Sequence, residues 1–370
     1  MSYPLQPVTL SSLGLAVLLF GGFVAALFLG SIVLPGAVHT GVCQPDGTCQ
    51  RYKLNGLLLF VLLTGLVIIG TWGTRFSLLI VYTHFWSLCI VANAFACLLT
   101  VLLVYRGRRT QPHAGSAATD GRYQILRELW YGTELNPSWL DVDLKLFSYR
   151  PSLLGLGLIN AAFAYVQYQL YGCISLRMGL YQLFTLVYLA NYFQFEYGML
   201  HTWDIMAERF GWMLIWGDYV VVPFCYSLPG WFLIDQTEAL PPLSIVGLIA
   251  LYLGGFWLFR GANEQKHRYK RDPDARIWGQ PATTIGGKLL VSGFWGIGRK
   301  LNYTGELCMY YAWTLLCGFD SLVPYALPLW LMAFLMHRAR RDEQRCQQKY
   351  GALWTLYCRR ARFRMLPYLY

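Results

Sequence analysis

The chain has 370 residues, of which 56% are hydrophobic and only 13% charged. Soluble domains carry about 25% charged residues, so half the polar coat of a water-soluble globule is missing; disorder, a collagen-like fibre and a disulfide scaffold are excluded as well. The formal net charge is +11, but nine of the 30 basic residues lie between Arg260 and Lys300 and nine more between Arg338 and Arg364, beside apolar runs. That is the pattern of positive-inside loops or of a site for a polyanionic small molecule, not of a nucleic-acid binder.

Apolar stretches long enough to cross a bilayer of about 30 Å lie at 12–35, 55–73, 77–104, 152–171, 175–195, 210–234 and 243–259. The first has no basic leader before it and is long enough to span, which predicts a mature helix rather than a signal peptide. A less regular apolar region covers 287–318 and another run covers 320–336. Backbone polar groups in hydrocarbon must be satisfied within the segment, and the alternation of a membrane β-barrel is absent. The prediction is an all-α, polytopic integral membrane protein of about nine to ten transmembrane helices. It forms one membrane domain, 1–370, without internal repeats; Arg106 to Asp120 is the one linker-like piece. The 105–150 loop, the 260–286 loop and the 338–370 tail are basic, whereas the 235–241 link has Asp235 and Glu238 and no Lys or Arg. Alternation through the spans puts the three basic segments on one face, expected to be cytosolic. Of ten cysteines, only Cys43 and Cys49 are near enough in sequence to suggest a bridge.

Charge inside a spanning region is expensive and usually functional. Glu196, Asp204, Asp218, Arg299, Lys300 and Glu306 lie within or at the edge of apolar runs; each alone reads equally well as a paired ion, and together they favour a polar cavity. In the tail, Arg338, Asp342, Cys346 and Tyr350 recur every four residues, which on a helix forms one slowly drifting stripe able to line a groove. A solvated juxtamembrane helix is the plainer reading of that segment by itself. Lys266 and Lys270 stand one turn apart and suit phosphate binding as point charges. The stretch Lys288 to Tyr303 is rich in glycine and planar groups, which fits a flat ring approaching the backbone. It is no dinucleotide fingerprint, because Gly296-x-Gly298 lacks the third glycine and a surrounding βαβ unit. The six histidines form no HxxxH or HxxHH box, so no metal is expected.

At this point the sequence resembles the sterol reductase family, which includes the sterol C14-, C7- and C24-type reductases and the membrane part of the lamin B receptor. The resemblance rests on 288–318 and on the tail from His337. Tyr52-x-x-Asn55-Gly56, Gly132-Thr-Glu134-Leu-Asn136-Pro137, Asp204-Ile205, Gly217-Asp218 and Asn263-Glu-Gln265-Lys266 extend it in order. It implies reduction of a sterol C=C bond with NADPH, by protonation and then hydride transfer. The cofactor-facing positions it implies are Lys266, Lys270, Leu290, Trp295, Asn302, Tyr303, Arg338, Asp342, Cys346 and Tyr350. The basic members Lys266, Lys270 and Arg338 would meet the phosphates. Asp342 and Tyr188 are the implied acid candidates; desolvation favours a protonated carboxyl, which is the expectation for Asp342. Glu196, Asp204 and Asp218 would belong to the substrate pocket. The helices of 1–240 would then carry part of the sterol pocket and 241–370 the NADPH-binding half.

The sequence departs from the family pattern in places. Lys270 stands where arginine is usual, Lys300-Leu301 where His-Pro or His-Phe is usual, and Asn191 where an aspartate is usual. The wording at Ser292-Gly-Phe-Trp-Gly and Ile277-Trp278-Gly279 leans towards the C7-type enzymes. Expected partners are a sterol lipid and the bilayer, with neither nucleic acid nor metal. The expected location is multi-pass in the endoplasmic reticulum membrane of a eukaryote or the cytoplasmic membrane of a bacterium, cofactor site to the cytosol. Two other readings stand beside this one. A membrane methyltransferase of the isoprenylcysteine or phospholipid type shares an Arg-x-x-x-Tyr-x-Gly pattern and would take S-adenosylmethionine. A non-catalytic sterol-binding scaffold would keep the fold without turnover.

Overall fold

The computed structural model describes residues 4–42, 49–73, 77–110 and 121–367; Cys43 and the 111–120 part of the linker-like piece lie outside them. The chain forms two compact units, Met1–Thr237 and Glu238–Tyr370, and is mostly helical.

In the first unit α1 (Leu10–Val33) begins at Thr9, whose side chain accepts from the Ser12 amide in a reciprocal cap. The antiparallel ribbon β1 (Ala37–Thr40) with β2 (Arg51–Leu54) follows, then α2 (Gly56–Gly73), the short α3 (Leu79–Thr83), α4 (Phe85–Thr110) and α5 (Gly121–Tyr131). Cys49, beside this first ribbon, is in a disulfide. A second ribbon, β3 (Ser138–Trp139) with β4 (Val142–Asp143), leads into α6 (Leu144–Tyr171). The Asp143 carboxylate accepts from the Leu146 amide at 2.7 Å to start α6, and Gly172 in the left-handed region ends it.

Helix α6 therefore starts eight residues before the predicted run at 152, because Lys145 and Arg150 are buried helix residues with polar partners rather than loop charges. Next come α7 (Leu176–Gln194), a 3-10 turn at Glu196–His201 and α8 (Trp203–Met206). The predicted 210–234 span is divided into α9 (Trp212–Trp216), a π-helix at Gly217–Cys225 and α10 (Leu228–Leu233). Pro223 inside the π-helix has no N–H to give to an α ladder.

The second unit opens with α11 (Pro242–Arg271), which runs a full three turns past the predicted 243–259, so that Lys266 and Lys270 sit on a helix and not in a loop. Two ribbons follow, β5 (Arg276–Ile277) with β6 (Gln280–Pro281) and β7 (Thr284–Ile285) with β8 (Leu289–Leu290). Then come α12 (Phe294–Ile297), α13 (Leu301–Thr314), α14 (Ala326–Tyr350) and, after a turn at Gly351, α15 (Ala352–Arg360). Helices α11 and α13 pack closely: a Cβ on Gly305 would stand 2.5 Å from the Gly255 carbonyl oxygen and 2.5 Å from the Phe259 nitrogen, so only glycine admits this approach.

Four helices among the described residues are long and apolar enough to cross a membrane: α1, α4, α6 and α11; Gly56–Thr71 is a shorter apolar helix. The chain is thus an integral membrane protein by its helices, and the expected nine to ten spans are not confirmed. Hydropathy counted 210–234 and 287–318 as candidates, and both are broken into short pieces.

Candidate functional site

In the second unit the polar residues gather where the basic end of α11 meets α12, the start of α13 and the middle of α14. Trp295 is fixed first: its indole Nε1 donates to the Ala262 carbonyl at 2.8 Å, and its ring packs with Leu290, Ile277 and Tyr269 in a buried cluster. The Phe294 amide donates to Gln265 Oε1 at 2.9 Å, which docks α12 on α11. Gly293, at φ +61°, makes this possible, since a Cβ there would lie 2.3 Å from Gln265 Oε1. The Lys266 ammonium then lies over the Trp295 ring, 4.5 Å from its centroid, a cation–π contact. One turn before Lys266, Asn263 accepts from Asn302 Nδ2 at 3.2 Å. The other amide atom, Asn302 Oδ1, is buried and has no hydrogen-bond partner among the described residues, an acceptor offered to a ligand donor.

Across from these, Lys300 is buried at the foot of α13 and its ammonium is hydrogen-bonded and ion-paired to Asp342 Oδ2. The same ammonium stands 5.8 Å from the Tyr303 ring centroid. Burial pushes the Asp342 carboxyl up, but Lys300, Lys266 and Arg345 together outweigh that and hold it below the usual carboxylate value. The expectation that desolvation alone keeps a proton on Asp342 is corrected here: its neighbours keep it ionised. Cys346 and Tyr350 follow Asp342 along one face of the unbroken α14 and pack against the Val291, Trp354 and Tyr357 cluster. Lys270 lies near enough to act electrostatically on Lys266 and Asp342, and Arg338 precedes Asp342 by one turn of α14.

The backbone below this group is clamped. Arg299 pairs with Glu343 at 2.8 Å and donates to the carbonyls of Ala361 and Arg362 at 2.7 and 3.1 Å, while its own amide donates to the Phe363 carbonyl at 2.9 Å. Thr304 Oγ1 donates to the Met365 carbonyl at 2.6 Å, and Arg364 also pairs with Glu343. The C-terminal residues thus strap the start of α13 to α14. Arg299 and Lys300, read in the sequence only as charges favouring a polar cavity, Asn263 and Gln265, read only as part of a family motif, and Glu343 are parts of this arrangement that were not among the named site positions. The charge of Arg299 and Lys300 at the edge of an apolar run was the signal for those two, and for Glu343 it was proximity, since it adjoins Asp342.

The residues fit a dinucleotide phosphate. There are ammonium groups for phosphates, an indole face for a planar ring, an unpaired amide oxygen and a carboxylate for ligand N–H or O–H groups. They do not form a metal site; among the described residues no group of three or more His, Cys, Asp and Glu converges.

The first unit holds the other sequence candidates. Tyr188 is buried on α7, its ring 5.0 Å from that of Tyr192. Glu196 accepts from the Gly56 amide at 2.9 Å and from Arg150 Nε at 3.0 Å. Arg150 also donates to Ser31 Oγ at 2.6 Å and to the Lys53 carbonyl at 3.0 Å, so Glu196 sits in a tie joining α1, the first ribbon, α2 and α6. Lys145, fully buried, donates to the carbonyls of Asp204, Ile205 and Glu208 at 2.5, 3.2 and 2.7 Å. Asp218, buried in the π-helix, interacts electrostatically with Asp204 and Lys145.

A helical membrane protein whose second unit gathers cationic, aromatic and amide side chains is the class these features define. Residues 12–370 match the model of the ergosterol biosynthesis ERG4/ERG24 family, and the chain belongs to that family of sterol reductases. It is 40% identical over 363 residues to the Delta(14)-sterol reductase of Arabidopsis thaliana, covering 98% of each chain. It is 37% identical to the Delta(14)-sterol reductase of Methylotuvimicrobium alcaliphilum, over 94% of this chain and 83% of the relative. To the 7-dehydrocholesterol reductase of Xenopus laevis it is 33% identical, over 90% and 74%. The lean towards the C7 type is therefore not carried: the relatives named for C14 are the more similar ones here.

Proposed function

We propose that this protein reduces the C14 double bond of a sterol with NADPH. Membership of the family supports reduction of a sterol, and the greater likeness to relatives named Delta(14)-sterol reductase supports C14 over C7. The cofactor rests on one observation above all: the Lys266 ammonium over the Trp295 face, next to the unpaired Asn302 Oδ1 and the Lys300–Asp342 pair. Lys266, Lys270 and Arg338 hold phosphates, the 2′-phosphate among them. Trp295, Tyr303 and Leu290 bound the planar rings; Asn302 and Asp342 accept from amide and hydroxyl groups; Cys346 and Tyr350 continue the lining along α14. When bound, NADPH supplies hydride. The protein's part is to bind, to exclude water so that a carbocation survives, and to place an acid at the alkene. Tyr188 and Asp342 are the acids proposed, and Glu196, Asp204 and Asp218 the polar side of the substrate pocket. The reading places the protein in the endoplasmic reticulum membrane of a eukaryote, or the cytoplasmic membrane of a bacterium, with the cofactor mouth to the cytosol.

The test is turnover of purified protein in lipid nanodiscs with NADPH and sterols unsaturated at C14, C7 or C24, products read by mass. A two-dalton gain on the C14-unsaturated sterol is expected. No gain on any sterol removes the reductase reading, and a gain on the C7 sterol alone removes the C14 assignment.

A further inference from the structure

We propose that the C-terminal segment 361–365, held through Arg299, positions the cofactor site: it fixes the stretch 295–303 so that Trp295, Lys300 and Asn302 meet NADPH already in place. This rests on the reductase reading above and deepens it by assigning a task to residues outside the cofactor-facing set. The need for an outside support lies in the chain itself. Between α12 and α13 the backbone leaves the helical region at Gly298 and again at Lys300, and Lys300, the N-cap of α13, gives that helix no side-chain hydrogen bond. A helix start without a cap leaves amides unmatched and frays, and Asn302 and Tyr303 lie in this first turn.

The tail supplies the support from both sides of that turn. Gly298 pairs with Phe363 in a parallel bridge, and the Arg299 amide donates to the Phe363 carbonyl at 2.9 Å. The Arg299 guanidinium donates to the carbonyls of Ala361 and Arg362 at 2.7 and 3.1 Å and to Glu343 Oε1 at 3.0 Å. Arg364 closes the ring on Glu343 Oε2 at 2.8 Å. Beyond the turn Thr304 Oγ1 donates to the Met365 carbonyl at 2.6 Å, and before it the Tyr357 hydroxyl of α15 donates to the Trp295 carbonyl at 3.4 Å. Arg299, Thr304, Ala361 and Met365 are all buried, so water does not compete for these bonds. Arg299–Glu343 and Lys300–Asp342 are thus neighbouring rungs between the foot of α13 and α14, the first engaged wholly by the protein and the second part of the site. One guanidinium serves a carboxylate and two carbonyls at once because its donors form a rigid fork, which an ammonium lacks. A ligand that finds its partners fixed loses no affinity to ordering them, so the tail's contribution belongs to NADPH binding and not to sterol binding.

The test measures the NADPH dissociation constant by calorimetry, and the KM for each substrate, on the full-length protein in nanodiscs. Thr304→Val keeps the shape and removes the hydroxyl; it is expected to weaken NADPH binding by about fivefold to tenfold with the sterol KM within about twofold of the wild type. Thr304→Ser keeps the hydroxyl and is expected to bind NADPH as the wild type does. Arg299→Lys keeps the charge and loses the fork, and should weaken NADPH binding by about tenfold or more; where that variant fails to fold, the Thr304 pair decides. Asn302 lies in the turn that Thr304 anchors, so in an Asn302→Ala background Thr304→Val has little left to misplace and should weaken NADPH binding by less than about twofold further. Wild-type NADPH affinity in Thr304→Val, equal losses in NADPH and sterol, or full additivity with Asn302→Ala overturns the proposal while leaving the reductase reading intact. A wild-type protein that binds no NADPH instead overturns that reading, and this proposal with it.

Discussion

Lys266 owes its position to Trp295, and Trp295 owes its own to a hydrogen bond from its indole to Ala262 one helical turn before Lys266. A cation over an indole contributes about 0.5–2 kcal/mol, and a phosphate contact adds to it. Lys266→Ala is therefore expected to raise the KM for NADPH by about tenfold or more with little change in the KM for sterol, which initial rates in both substrates will check. Equal loss in both would mean that Lys266 holds the fold rather than the cofactor. Tyr188→Phe should cut turnover by about a hundredfold and leave NADPH binding unchanged; full turnover would remove Tyr188 as an acid.

Asp342 titrates below the usual carboxylate value, so its pairing with Lys300 adds stability that is fully present above about pH 4, the unfolded carboxyl's range, and is lost as pH falls through the lower folded value. The gap in melting temperature between the wild type and Asp342→Asn should be constant from neutral to mildly acidic pH and close only in strong acid. A gap that closes near neutrality would contradict the pairing. The stripe of Arg338, Asp342, Cys346 and Tyr350 was legible because a four-residue recurrence is a local property and α14 is unbroken. The charge state of Asp342 was not, because its partner is 42 residues away in the chain and sequence alone weighs desolvation without the neighbour that cancels it.

At the level of elements, the first unit is joined by ions that hydropathy takes for loops. Arg150 and Glu196 are both buried, and between them they engage Ser31, the Lys53 carbonyl and the Gly56 amide. Removing one member of such a pair strands the other and costs about 3–5 kcal/mol, whereas replacing both costs less. Arg150→Met and Glu196→Gln are each expected to lower the melting temperature strongly, and the double variant to be less damaged than the sum of the two. Additive losses would show that the two side chains act separately, and a change in sterol KM at unaltered stability would return Glu196 to the substrate pocket alone. The apolar cores of α1, α4 and α11 were plain in the sequence because their uncharged runs are long, whereas the charged last three turns of α11 read as loop. The breaks within 210–234 and 287–318 were not, since a π-helix and two-residue ribbons depend on hydrogen-bond register and on turns at Gly286, Gly287 and Gly293, none of which changes the hydropathy.

For the molecule as a whole, a net charge of +11 sets the sign of what it attracts but not which anion it keeps. Selection has to come from matching geometry: ammonium groups at fixed points, an indole face and an unpaired amide oxygen in one unit. A ligand that binds the folded state alone stabilises it by RT ln(1 + [L]/Kd), about 2.7 kcal/mol at a hundred times Kd. Thermal unfolding followed with NADPH, NADH and S-adenosylmethionine at equal concentration thus ranks the three. NADPH should raise the melting temperature by several degrees, NADH by less because Lys266, Lys270 and Arg338 lose the 2′-phosphate, and S-adenosylmethionine, a cation, not at all. Salt should shrink the gap between the two nicotinamides, as exposed charge–charge contacts are screened over about 10 Å at 0.1 M ionic strength. Stabilisation by S-adenosylmethionine and not by NADPH would turn the same cradle into a methyltransferase site, and equal stabilisation by NADPH and NADH would show that the lysines do not read the extra phosphate.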